Sequence, residues 1–275
     1  MKKILYGLCI LFFAAVLSTA GADKAKASSA KFTDNSNGTF TMNYKNEQTV
    51  RVKLVVQLTG GKQYKYDIPK GDIELTFPLT QGNGKYTIYL CKNTEGTKYA
   101  VLQQASVELN LKDANQAFLV SDVIIDWETT NKSIKKAQDL TKKSKNDKAK
   151  LDAIYKYIVK NYSYDYDKAA NVEELSKDGA YIPEIDVVFK DQKGICYDIS
   201  ILFASMLRSV DIPAKVITGY TPNATTYHAW NNVYYSAKKS WKVIDATYDM
   251  QMYKAKKKYS MFKKEKDYSD VTYTY

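Results

Sequence analysis

Histidine is nearly absent from this chain: one residue in 275, His228, carries an imidazole. Any step that needs a base titrating near neutral pH has that single candidate. Cysteine is almost as scarce, with three residues, and one of these, Cys9, falls inside an N-terminal apolar run. A few mixed Cys and His residues without a repeated Cys/His spacing do not make a zinc motif, so neither metal nor cofactor is expected. Long apolar stretches are missing too. The run from Ile4 to about Leu17 is shorter than the roughly 20 residues of a membrane span, and none later is as long. Negative charge is in the minority, 30 Asp and Glu against 41 Lys and Arg, for a formal charge of +11. That excess favours acidic partners, but no nucleic-acid motif accompanies it, and a solvated basic surface explains much of it.

What is present begins with a leader pattern. Lys2 and Lys3 precede the apolar run, which gives way to a small-residue stretch ending Ala20-Gly21-Ala22. This is the order of a secretory signal peptide over residues 1–22, with Ala25-Lys26-Ala27 as a second cleavage option. The expectation is a protein secreted or extracellular, with cell-wall association as an option and no membrane span after cleavage. Cys91 and Cys196 then remain, and in an oxidising compartment an even count permits one disulfide.

Residues 30–125 alternate as half-buried strands do. Val50, Val52, Leu54, Val56 and Leu58 share one face, and Ile73, Leu75, Phe77 and Leu79 repeat the period of two. Asn37-Gly38, Gly60-Gly61, Pro69-Lys70-Gly71 and Gly82-Asn83-Gly84 supply turns, and the set predicts a small all-β sandwich. Near residue 125 the pattern turns helical and Lys-rich, so residues 126–275 are read as a second, α+β domain. Leu151, Ile154, Tyr155, Ile158 and Val159 recur at helical spacing behind Asp147, a candidate cap. A second stripe, Ile199, Leu202, Phe203, Met206, Leu207 and Val210, follows Gly194 and stops at Asp211-Ile212-Pro213. Val216 to Tyr220, His228 to Tyr235 and Trp241 to Asp245 read as strands. The Lys- and Tyr-rich tail beyond Met250 has no assignable pattern.

Cys196 stands at the start of the second helix. Free N–H groups and partial positive charge there favour a thiolate and can donate to an oxyanion. His228 opens a strand after the polar loop Thr221 to Thr226, and an imidazole can both hold the thiol proton and protonate a leaving amine. Asp245 ends the next strand, where a hairpin sets its carboxylate close to His228 to fix the tautomer. Singly, each residue also has a plain reading: a buried or bridged thiol, a satisfied histidine, a turn aspartate.

The ordered set resembles a known family. Gly194-Ile195-Cys196-Tyr197-Asp198, Leu207-Arg208, Ile212-Pro213-Ala214-Lys215-Val216, Gly219-Tyr220, His228-Ala229-Trp230-Asn231 and Asp245-Ala246-Thr247 look like the transglutaminase-like core, a papain-like thiol fold. Looser similarity reaches back to the helix near Leu151 and to Tyr164-Asp165-Tyr166, and none covers the β-rich half. The resemblance implies a helix carrying Cys packed on an antiparallel sheet, with Cys196 as nucleophile, His228 as acid/base and Asp245 as orienter. It also implies acyl transfer from protein or peptide amides, surface or wall associated ones among them, through a thioester to water or to an amine. Asp211 stands where the family often has Gly, and Asn232 where it often has Glu. The second oxyanion donor varies within the family; Gln192, Tyr164 and Tyr166 are the candidates. Two other readings are a noncatalytic wall- or surface-binding module on the same scaffold, and a Cys91–Cys196 disulfide, which would consume the nucleophile.

Overall fold

The computed structural model describes residues 29–175 and 180–275, so the leader pattern and Cys9 lie outside the described residues. The first half is built of strands β1 Lys31–Asp34, β2 Thr39–Asn46, β3 Val52–Leu58, β4 Gln63–Ile68, β5 Gly71–Pro78, β6 Gly84–Glu95 and β7 Lys98–Leu109. They form two antiparallel sheets, ordered β1-β2-β5 and β4-β3-β6-β7. Phe40, Met42 and Phe77 from the first sheet and Val52, Leu54, Val56, Tyr66, Ile88 and Leu90 from the second are buried in one cluster. Tyr66 meets Phe77 edge-on at 5.1 Å between ring centroids. This is the sandwich that the period of two predicts, because every second side chain can leave water together. Val50 departs from the expectation. It precedes β3 and is 41% exposed, since the chain is still bending there and the alternation has not begun.

The second half contains helices α1 Lys132–Thr141, α2 Asp147–Asn161, α3 Tyr166–Ala170, α4 Val172–Leu175, α5 Ile185–Asp191, α6 Cys196–Arg208 and α7 Ala246–Lys254. With them come strands β8 Ser163–Tyr164, β9 Lys193–Gly194, β10 Ala214–Tyr220, β11 His228–Tyr235, β12 Ser240–Ile244 and β13 Asp270–Thr274. The main sheet is antiparallel in the order β12-β11-β10-β13, while β8 and β9 make a short parallel pair. Helix α6 packs on β10 and β11 and is surrounded by α1, α2, α5 and α7. All its residues from Asp198 to Arg208 are buried. The Cys-bearing helix thus lies on an antiparallel sheet, the α+β papain-like arrangement, preceded by the β-sandwich.

Local chemistry corrects one cap and describes two places beyond the helical stripes. Asn146, not Asp147, caps α2: its side chain accepts from Ala149 N–H at 2.9 Å from an extended backbone, leaving Asp147 in the first turn. Asp211 lies in the turn after α6 with φ +66, a left-handed conformation that glycine adopts without strain. The tail without periodicity carries the end of α7, a 3-10 turn Glu265–Tyr268 and β13. β13 lies along β10 with a bulge at Thr218/Gly219, where a Cβ on Gly219 would come within 2.0 Å of the Asp270 carbonyl oxygen.

Among the described residues, the contacts between the two halves include the tail and a buried ion pair. Thr80 donates to the Thr274 carbonyl at 2.7 Å, and Tyr64 meets Tyr273 edge-on. Arg208, at the end of α6, donates to Asp122 at 3.0 Å and to the carbonyls of Val120 and Ala214, with both charged side chains fully buried.

Candidate active site

Cys196 is the first residue of α6 and is a partly exposed free thiol. A helix leaves its first N–H groups without intrahelical acceptors, so Cys196 sits among unpaired donors. Cys91 is also free, buried in β6, and burial alone pushes its thiol up to about 11. The two cysteines are not bridged, and the disulfide reading is set aside.

His228 opens β11 and is 8% exposed. Its Nε2 lies 2.8 Å from Asp245 Oδ2, and Cys196 is close enough to raise the ring's affinity for a proton. With Nε2 committed to the carboxylate, Nδ1 is the nitrogen left for the thiol. Burial alone would lower the affinity of the ring for a proton. The hydrogen bond to Asp245, the nearby Cys196 and the charges of both outweigh it and raise His228 from 6.5 to about 10.

Asp245 does not end a strand as expected from the sequence. It follows β12 as the N-cap of α7, its Oδ1 accepting from Tyr248 N–H at 2.9 Å. One carboxylate therefore starts a helix and faces His228 with its other oxygen. The sequence brings Cys196, His228 and Asp245 into view, and the structure brings them together.

The tail supplies a residue that the sequence reading missed. Tyr268, 4% exposed, donates to Asp245 Oδ2 at 2.9 Å and itself accepts from Asn223 at 3.1 Å. Its ring meets Trp230 edge-on at 5.2 Å, and Trp230 in turn lies against His228 with ring centroids 6.3 Å apart. Neither periodicity nor motif signals Tyr268. Asn231 completes the frame from the strand, donating to the carbonyls of Ser200 in α6 and Lys215 in β10.

Of the three candidate oxyanion donors, Tyr164 is the one whose hydroxyl is acted on by the charge of Cys196. Its hydroxyl is pushed up to about 12, first by burial and next by the charge of Cys196. Tyr166 is 67% exposed and bonds Gln251, and Gln192 is an exposed left-handed residue closing α5. Among the described residues, no group of three or more His, Cys, Asp or Glu is placed to hold a metal ion.

Residues 134–246 match the model of the transglutaminase-like superfamily. Solved structures similar to this chain include a candidate cysteine protease from Cytophaga hutchinsonii, with a TM-score of 0.41 and 17% identity over 76% of this chain and 71% of that one. A red sea bream transglutaminase has a TM-score of 0.29 and 12% identity over 77% of this chain and 48% of that one. A third, described as a TGase, has a TM-score of 0.32 and 24% identity, covering 42% of this chain and 30% of that one. No curated protein matches the chain.

Proposed function

With residues 134–246 forming a transglutaminase-like domain, we propose that the protein is a thiol enzyme acting on protein or peptide amides through a thioester on Cys196. The observation that carries this reading is the buried His228, bonded to Asp245, with a partly exposed thiol at a helix N-terminus near enough to raise its affinity for a proton.

The steps follow from that geometry. The Cys196 thiolate attacks the amide carbonyl carbon, and the carbonyl oxygen takes the negative charge facing the free N–H groups of α6 and the Tyr164 hydroxyl. His228 gives the Nδ1 proton to the departing nitrogen as the C–N bond breaks, leaving an acyl thioester. Water or an amine then loses a proton to His228 and attacks the thioester. The C–S bond breaks, and the thiolate–imidazolium pair is restored. Asp245 holds the ring throughout and stabilises its positive form. Water as acceptor gives peptidase or deamidase activity; a lysine amine gives cross-linking.

Mass spectrometry after incubation with candidate proteins and a primary amine separates these outcomes: acid in place of amide on Gln, an amine adduct, or new termini. A Cys196→Ala protein serves as the blank. If wild type and blank give identical spectra across surface and wall proteins and peptides, the enzymatic reading fails and a noncatalytic binding role replaces it.

We further propose that the protein is exported and meets acidic surface or wall-associated substrates. The leader pattern of residues 1–22 and the excess of Lys and Arg over Asp and Glu, which loses only Lys2 and Lys3 with the leader, support this. N-terminal sequencing of exported material should begin after Ala22 or near Ala27; retention of the first residues would oppose it.

A further inference from the structure

Asp198 carries a charge that the proposed reaction does not use, and it stands two residues past the nucleophile. Its side chain is fully buried. Three donors converge on it. Oδ2 accepts from Ile195 N–H at 2.9 Å and from Lys168 Nζ at 2.6 Å, and Oδ1 accepts from the Tyr181 hydroxyl at 2.7 Å. Lys168 also donates to the Tyr181 hydroxyl and lies 4.7 Å from the centre of that ring. The carboxylate reaches Ile195 by folding back over Gly194. A Cβ on Gly194 would come within 2.8 Å of Asp198 Cβ and 3.0 Å of Oδ2. Gly194, Cys196 and Asp198 are therefore parts of one construction rather than separate motif letters.

Two physical demands meet here. The backbone entering α6 must be held still, because its free N–H groups are the oxyanion donors, and Asp198 fixes it at Ile195. A bare carboxylate this close would oppose a thiolate, and Lys168 supplies the balancing charge. Other charged and titratable groups lie around this cluster, among them Glu184 beside Tyr181 and Lys193 paired with Asp165. His228 and Tyr164 face Cys196, Tyr164 and Tyr197 flank Asp198, and Asp165 lies near Lys168.

We propose that Asp198, Lys168 and Tyr181 form a charge-balanced lock that positions the Cys196 backbone and keeps the thiolate–imidazolium pair unopposed. The inference rests on Cys196 being the nucleophile, and it makes Lys168 and Asp198 positioning residues, not catalytic ones. It also ties α3 and the segment at Tyr181 to the reacting sulfur, although neither touches it.

The test is iodoacetamide labelling of Cys196 against pH in the full-length protein, which needs no substrate. Lys168→Met should move the labelling curve to higher pH and slow labelling near pH 6 by about tenfold, the effect of roughly one pK unit. The double variant Lys168→Met/Asp198→Asn removes both charges and should return the curve towards wild type, which a purely structural role would not do. Tyr181→Phe keeps the ring and the ion pair; it should shift the curve less, in the same direction, and it serves if Lys168→Met does not fold. A Lys168→Met curve matching wild type, or a double variant slower than the single one, overturns the lock. His228→Ala is the separate control: if it leaves the curve unchanged, the nucleophile reading has failed instead.

Discussion

Tyr268 donates its hydroxyl hydrogen to the same carboxylate oxygen of Asp245 that faces His228. The second oxygen is occupied by the N–H of Tyr248. Asp245 is thus held by donors at both oxygens, and the imidazole has one direction in which to point. Removing the Tyr268 hydroxyl frees the carboxylate to rotate without emptying the space. Tyr268→Phe should therefore lower turnover by about tenfold, roughly the worth of one hydrogen bond to a charged group. A Tyr268→Phe protein of native melting temperature and undiminished turnover would show that the contact is only packing.

The proposed mechanism gives the three central residues unequal jobs, and their variants should rank accordingly. Cys196→Ala removes the covalent route, and His228→Ala removes the proton carrier, so each should lower turnover to background. Asp245→Asn should lose less, on the order of 10²- to 10⁴-fold. Its amide must present an NH₂ either to the Tyr248 N–H or to the donors at His228 and Tyr268, so some stability should go with the rate. Steady-state rates and melting curves on the same preparations separate the two losses.

His228 also makes stability depend on pH in a stated direction. Its proton affinity is raised from 6.5 to about 10 in the fold, so the folded chain holds that proton where the unfolded chain has lost it. The contribution is complete below about 6.5 and is lost as pH rises through about 10. The melting-temperature gap between wild type and His228→Ala should narrow over that window. A gap independent of pH would mean that the ring is held neutral.

Cys91 should prove a spectator. It is buried in the sandwich and pushed up to about 11 by that burial. Protein lacking residues 1–22 should show one rapidly labelled thiol when native and one more when denatured. Cys91→Ser should keep turnover per folded molecule while losing about 1–3 kcal/mol of stability from a hydroxyl left in apolar surroundings. A fall in turnover matching that of Cys196→Ala would place Cys91 in the chemistry.

Arg208 and Asp122 form a fully buried ion pair between α6 and the segment that follows the sandwich. Arg208→Ala leaves Asp122 charged and buried, and should cost about 3–5 kcal/mol in urea unfolding. Loss of under 1 kcal/mol would indicate that water replaces the guanidinium.

The residues carrying strong periodicity were the ones legible beforehand. The stripe from Ile199 to Val210 fixes α6 and hence the place of Cys196, and His228 opens a strand whose limits the alternation marks correctly. Asp245 was identified by its place in the motif, but its cap role was not, because capping depends on a helix that the tail's composition hides. Tyr268 left no trace at all. It sits in a single 3-10 turn beside a strand whose partner, β10, lies some fifty residues earlier, and such pairing imposes no local pattern. The ion pair of Lys168 with Asp198 is of the same kind, two ordinary charges made meaningful by a distant contact.

The placement of Tyr268 has a consequence for timing. A ribosome makes the nucleophile, the imidazole and the carboxylate in that order, and the hydroxyl that steadies the carboxylate comes after all three. Strand β13, which seats that turn against β10, comes later still. A nascent chain therefore presents its thiol before the hydroxyl that steadies Asp245 has been made, and the arrangement around His228 waits for the segment carrying Tyr268.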